Sequence, residues 1–135
     1  MDHLKELCED LELDPNLEKS KVGNYLLPIT ESLQIEVKNL DPGVYFFSPI
    51  SPCPKQKKEE LFILLMKANL FGQGTFGAAI GLEEKENLLT LSRDIHYDMD
   101  YRAYREALED FTNIVQYWRD EVARHEREAQ DGILG

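Results

Sequence analysis

The fold of this chain is decided by residues 61–93, which read LFILLMKANLFGQGTFGAAIGLEEKENLLTLSR. The first six residues, Leu61 to Met66, are all apolar and fall within a helix predicted from about Lys55 to Phe71. Because successive residues step by about 100° around a helix, six in succession leave no polar stripe. A chain of 135 residues can hardly cover such a helix on every side. The sequence therefore predicts that a partner surface covers part of it.

A glycine-rich break and two short strands follow this helix. The first strand alternates two kinds of side chain, which are apolar Phe76, Ala78, Ile80 and Leu82 on one face and small Gly77, Ala79 and Gly81 on the other. A polar turn at 83–87 leads to the returning strand at 88–91. A strand face of glycine and alanine lets another backbone or helix approach closely. Helix and strand together predict a subunit interface, most simply that of a twofold homodimer.

One helix and three strands are predicted before the central helix. Residues 2–13 place Leu4, Leu7, Cys8 and Leu11 at helical spacing. Strands are predicted at 24–29, at 33–38, where apolar and polar residues alternate, and at 44–47. The turn Asp41-Pro42-Gly43 precedes the third strand and uses glycine for a positive φ. Because 44–47 is apolar on both faces, we expect the face turned away from the core to bind something else.

The last element is a long amphipathic helix that begins near Asp98 or Asp100. Its apolar stripe steps by three and four residues through Tyr101, Tyr104, Leu108, Phe111, Val115, Trp118 and Val122. In a chain that mixes helices and strands, this stripe favours packing on a sheet over a coiled-coil seam. We expect one domain over residues 1–125 and a flexible tail at 126–135.

Composition excludes several classes of function. The net charge of −11 repels nucleic acid, whose binding requires a basic surface. The chain contains no run of about eighteen apolar residues, so no stable association with a membrane is expected. The first ten residues are acidic rather than basic and then apolar, which predicts a cytoplasmic protein. The widely separated Cys8 and Cys53 are typical of reduced, packed thiols.

The best candidate for chemistry is the segment 94–100, in which Asp94, His96, Asp98 and Asp100 alternate with other residues. Such a pattern points several oxygen and nitrogen ligands in one direction and suits a divalent metal. The competing interpretation is a strand end followed by two helix-capping aspartates. His125 is not followed by a second histidine at HExxH spacing, and residues 72–77 lack the lysine of a phosphate loop. The sequence therefore does not favour an enzyme.

These patterns resemble the class I chaperones of bacterial type III secretion, the Tir-chaperone-like (SycE-like) family. The resemblance is carried by Ala68-Asn69, the glycine-rich segment 72–77, Gly81-Leu82-Glu83 and the strand Leu89-Thr90-Leu91. The aromatic-rich last helix agrees with it, so that the resemblance covers about residues 1–124. It implies an α+β fold in the order α-β-β-β-α-β-β-α, with an antiparallel twisted sheet packed by helices.

The resemblance also implies a function. A homodimer, or a heterodimer with a second chaperone, binds the N-terminal segment of one or more secreted effectors in extended form. Binding keeps the effector soluble and competent for secretion, in the cytoplasm of a bacterium that uses secretion for virulence. The chaperone is not an enzyme and uses no ATP or other cofactor.

At the positions of this sequence that match the family's pattern, the resemblance implies two sets of contact residues. The dimer interface would involve Leu61, Leu65, Phe76, Ala78 and Ile80. The effector would be bound by Leu7, Leu11, Leu33, Ile35, Phe46 and Phe47. Two other functions stay open at this point. One is a protein-binding module of the same fold outside secretion, and the other is a small metal-dependent enzyme that uses Asp94, His96 and Asp98.

Overall fold

The computed structural model describes residues 3–55, 58–71 and 77–134. The elements follow the predicted order and are α1 (His3–Asp10), β1 (Tyr25–Thr30), β2 (Leu33–Asn39), β3 (Val44–Pro52), α2 (Lys58–Phe71), β4 (Ala79–Glu83), β5 (Leu88–Ile95) and α3 (Tyr101–Leu134). The strands form one five-stranded antiparallel sheet in the order β1-β2-β3-β5-β4. The predicted α+β class is therefore confirmed. No described helix has the length and apolarity needed to cross a lipid bilayer.

The chain forms two compact units, each built from two separate parts of the sequence. The first comprises Met1–Phe47 and Asp94–Thr112, and the second comprises Ser48–Arg93 and Asn113–Gly135. The predicted single domain over 1–125 stays a prediction. The segment 126–134, which the sequence suggests is flexible, continues α3 as a helix and buries Ala129; its mobility also stays a prediction.

The core of the first unit follows from the alternation of its strands. β2 buries every second residue, and its Val37 lies opposite Phe46 of β3. The Phe46 ring packs on two α3 rings, with centroid distances of 6.1 Å to Tyr104 and 5.6 Å to Phe111. Helix α1 adds the buried side chains Leu4, Leu7 and Cys8. Side chains alternate between the two faces of a strand and return to the same face of a helix every three to four residues, so each of these elements buries one face.

The turn before β3 requires glycine. Gly43 has φ +108°, and its carbonyl accepts a hydrogen bond from the Leu40 amide at 3.0 Å. A Cβ atom at this position would overlap the carbonyl oxygen of Ile95, at the end of β5. The turn predicted at Asp41-Pro42-Gly43 is confirmed. The close approach of Ile95 is a second reason why only glycine fits at position 43, and the sequence alone does not reveal it.

Of the two candidate caps of α3, Asp100 is the one used. Its Oδ1 accepts a hydrogen bond from the Ala103 amide at 2.8 Å. At the first residue of α3, the Tyr101 hydroxyl donates to Asp10 of α1 at 2.5 Å, and Arg105, one turn further on, forms an ion pair with the same carboxylate at 3.5 Å. Partial burial and the Asp10 carboxylate raise the pKa of Tyr101 to about 12. The start of α3 is therefore fixed both by its cap and by α1.

We expect Asp100→Ala to destabilise the chain by about 1 kcal/mol, the usual cost of losing an N-cap side chain. The midpoint of thermal unfolding should fall by about 4 °C. Asp98→Ala is the matched control, because Asp98 is exposed and does not cap α3. An equal fall in both variants would contradict the assignment of Asp100 as the cap.

The second unit has its own core. Ile80 of β4 lies opposite Leu91 of β5, and both are buried. Helix α3 contributes Val115, Trp118 and Val122. Between these apolar positions, the half-buried Arg119 donates a hydrogen bond to the Pro49 carbonyl at 3.0 Å, and burial lowers the pKa of its guanidinium. Arg119 thus ties α3 to the second half of β3.

Candidate functional site

Helix α2 divides its apolar residues between a buried and an exposed side. Leu61 and Leu65 are buried within the second unit, with 1% and 4% of their surface exposed. Ile63, Leu64 and Met66 are 55%, 42% and 68% exposed. We call these three side chains the α2 patch. Contiguous exposed apolar side chains on a protein surface are typical of binding sites.

Strand β4 and the residue before it show the predicted alternation from Ala78 to Gly81, but Leu82, which was predicted on the face of Ala78 and Ile80, is 39% exposed. Ala78 and Ile80 are buried, whereas Ala79 and Gly81 are exposed. A Cβ atom on Gly81 would lie 3.2 Å from the Thr90 hydroxyl, so the residue fits closely against β5. β4 is also the last strand in the order of the sheet. This edge therefore presents backbone groups and small side chains.

The five residues predicted for the dimer interface are thus placed as follows. Leu61, Leu65, Ala78 and Ile80 are buried within the second unit of a single chain, and Phe76 lies outside the described residues. The α2 patch, which is exposed, was not among them. An all-apolar helix gives no sequence signal for which side faces its own core, so the exposed side could not be selected from the sequence.

The residues predicted for effector binding also divide between core and surface. Leu7, Leu33, Ile35 and Phe46 are almost completely buried in the first unit. Leu11, just after α1, is 40% exposed, and Phe47 is half-buried. Of the six, only Leu11 and Phe47 are accessible to a partner on the surface of this chain.

Phe47 belongs to a continuous row of side chains on the outer face of the first unit's strands. The register places Leu26 of β1 opposite Glu36 of β2, and Glu36 opposite Phe47 of β3. Tyr45 lies next to this row, opposite Lys38. We call Leu26, Glu36, Tyr45 and Phe47 the outer row. All four are half-buried.

The outer row carries one acidic side chain, Glu36, beside its apolar ones. Partial burial raises the pKa of Tyr45, and the negative charges of Asp94 and Glu36 raise it further. The Glu36 carboxylate accepts a hydrogen bond from the side-chain amide (Nδ2) of Asn24 at 3.2 Å. Tyr45 shares the face of Phe47 by strand alternation, whereas Leu26 could not be assigned from the sequence, because it joins Phe47 only through the register of three strands.

The free edge of β1 is partly occupied by the chain itself. The Leu26 amide donates to the Glu18 carbonyl at 2.8 Å, and the Ser20 amide donates to the Asn24 carbonyl at 2.8 Å. Further along β1, Pro28 has no amide hydrogen to offer. An added strand therefore meets fewer free backbone groups on β1 than on a fully exposed edge.

The metal-binding candidates do not come together. Asp94 and His96 line a cavity of about 270 Å³ with Tyr45 and Lys38. Asp98 lines a different cavity of about 420 Å³. Within residues 3–55, 58–71 and 77–134, no three His, Cys, Asp or Glu side chains are arranged to hold a metal ion. The described residues therefore give no support to a metal-dependent enzyme built on this segment.

Comparison with known proteins identifies the family. The model of the Tir chaperone protein (CesT) family matches residues 2–119. The chain belongs to this family. The resemblance seen in the sequence is thereby confirmed.

A curated relative of this Tir chaperone family member matches most of its length. A Chlamydia pneumoniae protein named only as CPj0713/CpB0740 is 26% identical over 121 residues, which make up 88% of this chain and 92% of the relative.

Solved structures share the fold. A chain of the ExsC–ExsE complex aligns with a TM-score of 0.71 at 16% identity and covers 87% of this chain and 89% of its own length. A chain of the HopA1–SchA chaperone–effector complex aligns with a TM-score of 0.66 at 16% identity. The alignment covers 87% of this chain and 90% of the HopA1–SchA chain. A chain of the heterodimeric ExoU–SpcU complex from the type III secretion system of Pseudomonas aeruginosa aligns with a TM-score of 0.51 at 14% identity. The alignment covers 82% of this chain and 88% of the chain from that complex.

Proposed function

We propose that this chain is a type III secretion chaperone that binds the N-terminal segment of one or more effectors in extended form. The observation that carries this proposal is the match of the Tir chaperone family over residues 2–119. The shared fold with a chain of a chaperone–effector complex supports it. The chaperone acts in the bacterial cytoplasm, uses no cofactor and makes or breaks no covalent bond.

The outer row and Leu11 are the surfaces that we propose for the effector segment. Complete burial of a fully exposed apolar side chain contributes about 1.5–3 kcal/mol, and these side chains, which are already partly buried, contribute less. Ordering an extended segment costs about 1–2 kcal/mol per residue in backbone entropy. A few apolar contacts therefore cannot hold a long segment alone, and we propose that backbone hydrogen bonds at the part of the β1 edge that residues 18–20 leave free contribute as well. The deeply buried Leu7, Leu33, Ile35 and Phe46 support this surface from below.

We also propose that two copies of the chain associate through the α2 patch and the neighbouring edge at β4. The exposed apolar side chains of α2 and the small side chains of β4 suit a close twofold contact. Leu61, Leu65, Ala78 and Ile80 then hold the contacting elements in place from inside each copy. Phe76 remains part of the proposal by resemblance. A heterodimer with a second chaperone would use the same surfaces.

The function is tested by a gentle pull-down of the tagged chain from its native host. Limited proteolysis then maps which region of a captured protein is protected. We expect an extended N-terminal segment, held by two chaperone chains per partner. Capture through a folded domain would instead indicate a binding module outside secretion, and recovery of the chain without any partner would contradict the proposal.

We expect Phe47→Glu to weaken binding of the captured segment at least about tenfold, because it removes an apolar contact and adds a charge beside Glu36. Calorimetric titration of the segment measures the change. Phe47→Leu is the matched control, since it keeps an apolar side chain and should lose far less affinity. Full binding by Phe47→Glu would remove the outer row from the binding surface.

A further inference from the structure

The segment before β1 forms a short extra strand along the β1 edge, and we call its residues 18–20 the strap. The Leu26 amide donates to the Glu18 carbonyl, and the Ser20 amide donates to the Asn24 carbonyl, both at 2.8 Å. β1 is the first strand of the sheet and pairs with β2 along its other edge. The strap therefore occupies the edge at which β1 could accept a strand from another chain.

The strap uses the amide groups that an added strand would need. Alternate residues of an antiparallel strand direct both backbone groups to the same side, so the Leu26 bond shows that residues 24, 26 and 28 face the strap. The Asn24 amide donates to the Ser20 hydroxyl at 3.2 Å, and Pro28 has no amide hydrogen. Every amide hydrogen that residues 24–28 direct to this edge is therefore used by the strap or missing. A new strand can use these amides only if the strap leaves.

The side chains of the strap add little to these hydrogen bonds. Glu18 and Lys19 are exposed, Ser20 is half-buried, and none of the three is apolar. The Nζ atom of Lys19 lies 5.2 Å from the centre of the Tyr25 ring, a contact that is weak at an exposed site. Segments with few buried apolar contacts and solvent-exposed hydrogen bonds open more readily than a protein core. We therefore expect the strap to detach without unfolding of the sheet.

The elements on either side of the strap can keep their places when it moves. On the N-terminal side, the Leu13 amide donates to the Cys8 carbonyl at 2.8 Å and closes the end of α1, and the exposed residues 14–16 follow. On the C-terminal side, Gly23 has φ +87°, and a Cβ atom there would have nothing within 4 Å. The strap thus lies between two exposed connections, and its movement requires no change in α1 or β1.

The register shows what an incoming strand would gain over the strap. The hydrogen bond between them places Glu18 opposite Leu26, and opposite side chains of neighbouring strands lie on the same face. Glu18 therefore extends the outer row, in which Leu26 lies opposite Glu36 on the other side. An apolar residue in the place of Glu18 would bury more of the Leu26 side chain than a carboxylate does. The β1 edge thus suits an extended segment with an apolar residue at this position.

We propose that the strap is a placeholder strand, which an extended segment of the effector displaces from β1. The inference rests on the proposed function for the source of the segment, whereas the opening of the strap is a property of the chain alone. The displacing segment carries an apolar residue in the place of Glu18, so that the chaperone binds it in preference to its own strap. Without an effector, the strap keeps the amides of β1 paired.

The first test locks the strap with a disulfide in the variant Lys19→Cys/Tyr25→Cys. The two positions form a non-hydrogen-bonded pair, whose Cα atoms are about 4.5 Å apart in antiparallel sheets, and this spacing suits a disulfide. The two native cysteines are buried. Hydrogen exchange followed by NMR compares the amide of Leu26, which faces the strap, with that of Leu27, which faces β2 on the same strand.

In the wild-type chain and in the reduced variant, we expect the Leu26 amide to exchange at least about a hundredfold faster than the Leu27 amide. Oxidation should slow Leu26 at least about tenfold and leave Leu27 unchanged, because the lock prevents local opening. Equal exchange of the two amides in the wild-type chain would show that the strap is a permanent strand and would overturn the proposal.

A second variant tests the preference for an apolar residue. Glu18→Ile gives the strap the kind of residue proposed for the effector, so the Leu26 amide should exchange at least about fivefold more slowly. Glu18→Thr is the matched control, since threonine is also β-branched and favours strands but is polar. Equal slowing by the two substitutions would contradict the apolar preference at this position.

The last measurement titrates the effector segment captured from the host into the disulfide variant in both redox states. We expect the reduced variant to bind nearly as the wild-type chain does, and the oxidised variant to bind at least about tenfold more weakly. Equal binding in the two states would overturn the displacement and leave the proposed chaperone function standing. If the host yields no partner, the proposed function fails instead, and the exchange rates of the chain alone still decide whether the strap opens.

Discussion

Gly43→Ala should destabilise the chain by about 4 kcal/mol, placing it among the larger effects of single substitutions. Two costs add at this position. The backbone has φ +108°, and a methyl group would overlap the Ile95 carbonyl oxygen, so that the turn and the end of β5 must separate. Urea unfolding followed by circular dichroism measures the change in the free energy of unfolding.

Gly23→Ala separates the two costs. Gly23 also has a positive φ, +87°, but a Cβ atom there would have nothing within 4 Å. It should therefore lose only the backbone contribution, about 1 kcal/mol. Similar losses in the two variants would show that the Ile95 contact adds nothing and that φ alone makes Gly43 necessary.

Ile63→Glu should convert the proposed dimer to monomers. The side chain is 55% exposed in the single chain, so the variant should fold normally. In a dry interface the variant would lose part of the ~1.5–3 kcal/mol that complete burial of an apolar side chain contributes, and it would add the cost of an unpaired carboxylate. We expect the dissociation constant of the dimer to rise at least about a hundredfold. Light scattering during size-exclusion chromatography measures the mass of the particle.

The matched control is Gln116→Glu, which adds the same charge at an exposed position of α3. It should leave the mass unchanged. A dimer that survives Ile63→Glu would remove the α2 patch from the interface. Leu65→Glu is a poorer probe, because Leu65 is buried within one chain and the variant would test folding instead. A wild-type chain that is monomeric until a second chaperone is added would replace the homodimer by a heterodimer.

The parts of the fold that could be predicted from the sequence are those that neighbouring residues determine. The alternation of Leu33, Ile35 and Val37 gave both a strand and its buried face, and the three-and-four spacing from Tyr101 to Val122 gave the apolar face of α3. The element order followed from such periods and from the turn residues. Each of these signals lies within a few neighbouring residues, so a single sequence carries it.

The candidate surfaces were less predictable because they depend on distant residues. Phe46 and Phe47 are identical in type, and only the register with β2 shows that the first is buried and the second half-buried. Leu61 and Ile63 likewise differ only in which side of α2 meets the core of the second unit. The choice between Asp98 and Asp100 as the cap depended on one hydrogen bond to Ala103.

The self-pairing of residues 18–20 along β1 has a consequence for how much of this protein a cell can hold. A chaperone that binds its client without turnover must be present in amounts comparable to that client. At such concentrations, an open strand edge invites end-to-end polymerisation of sheets. The Glu18 and Ser20 hydrogen bonds and the missing amide of Pro28 restrict that pairing. The β1 edge is thereby protected from joining copies of this binding protein end to end as the protein accumulates.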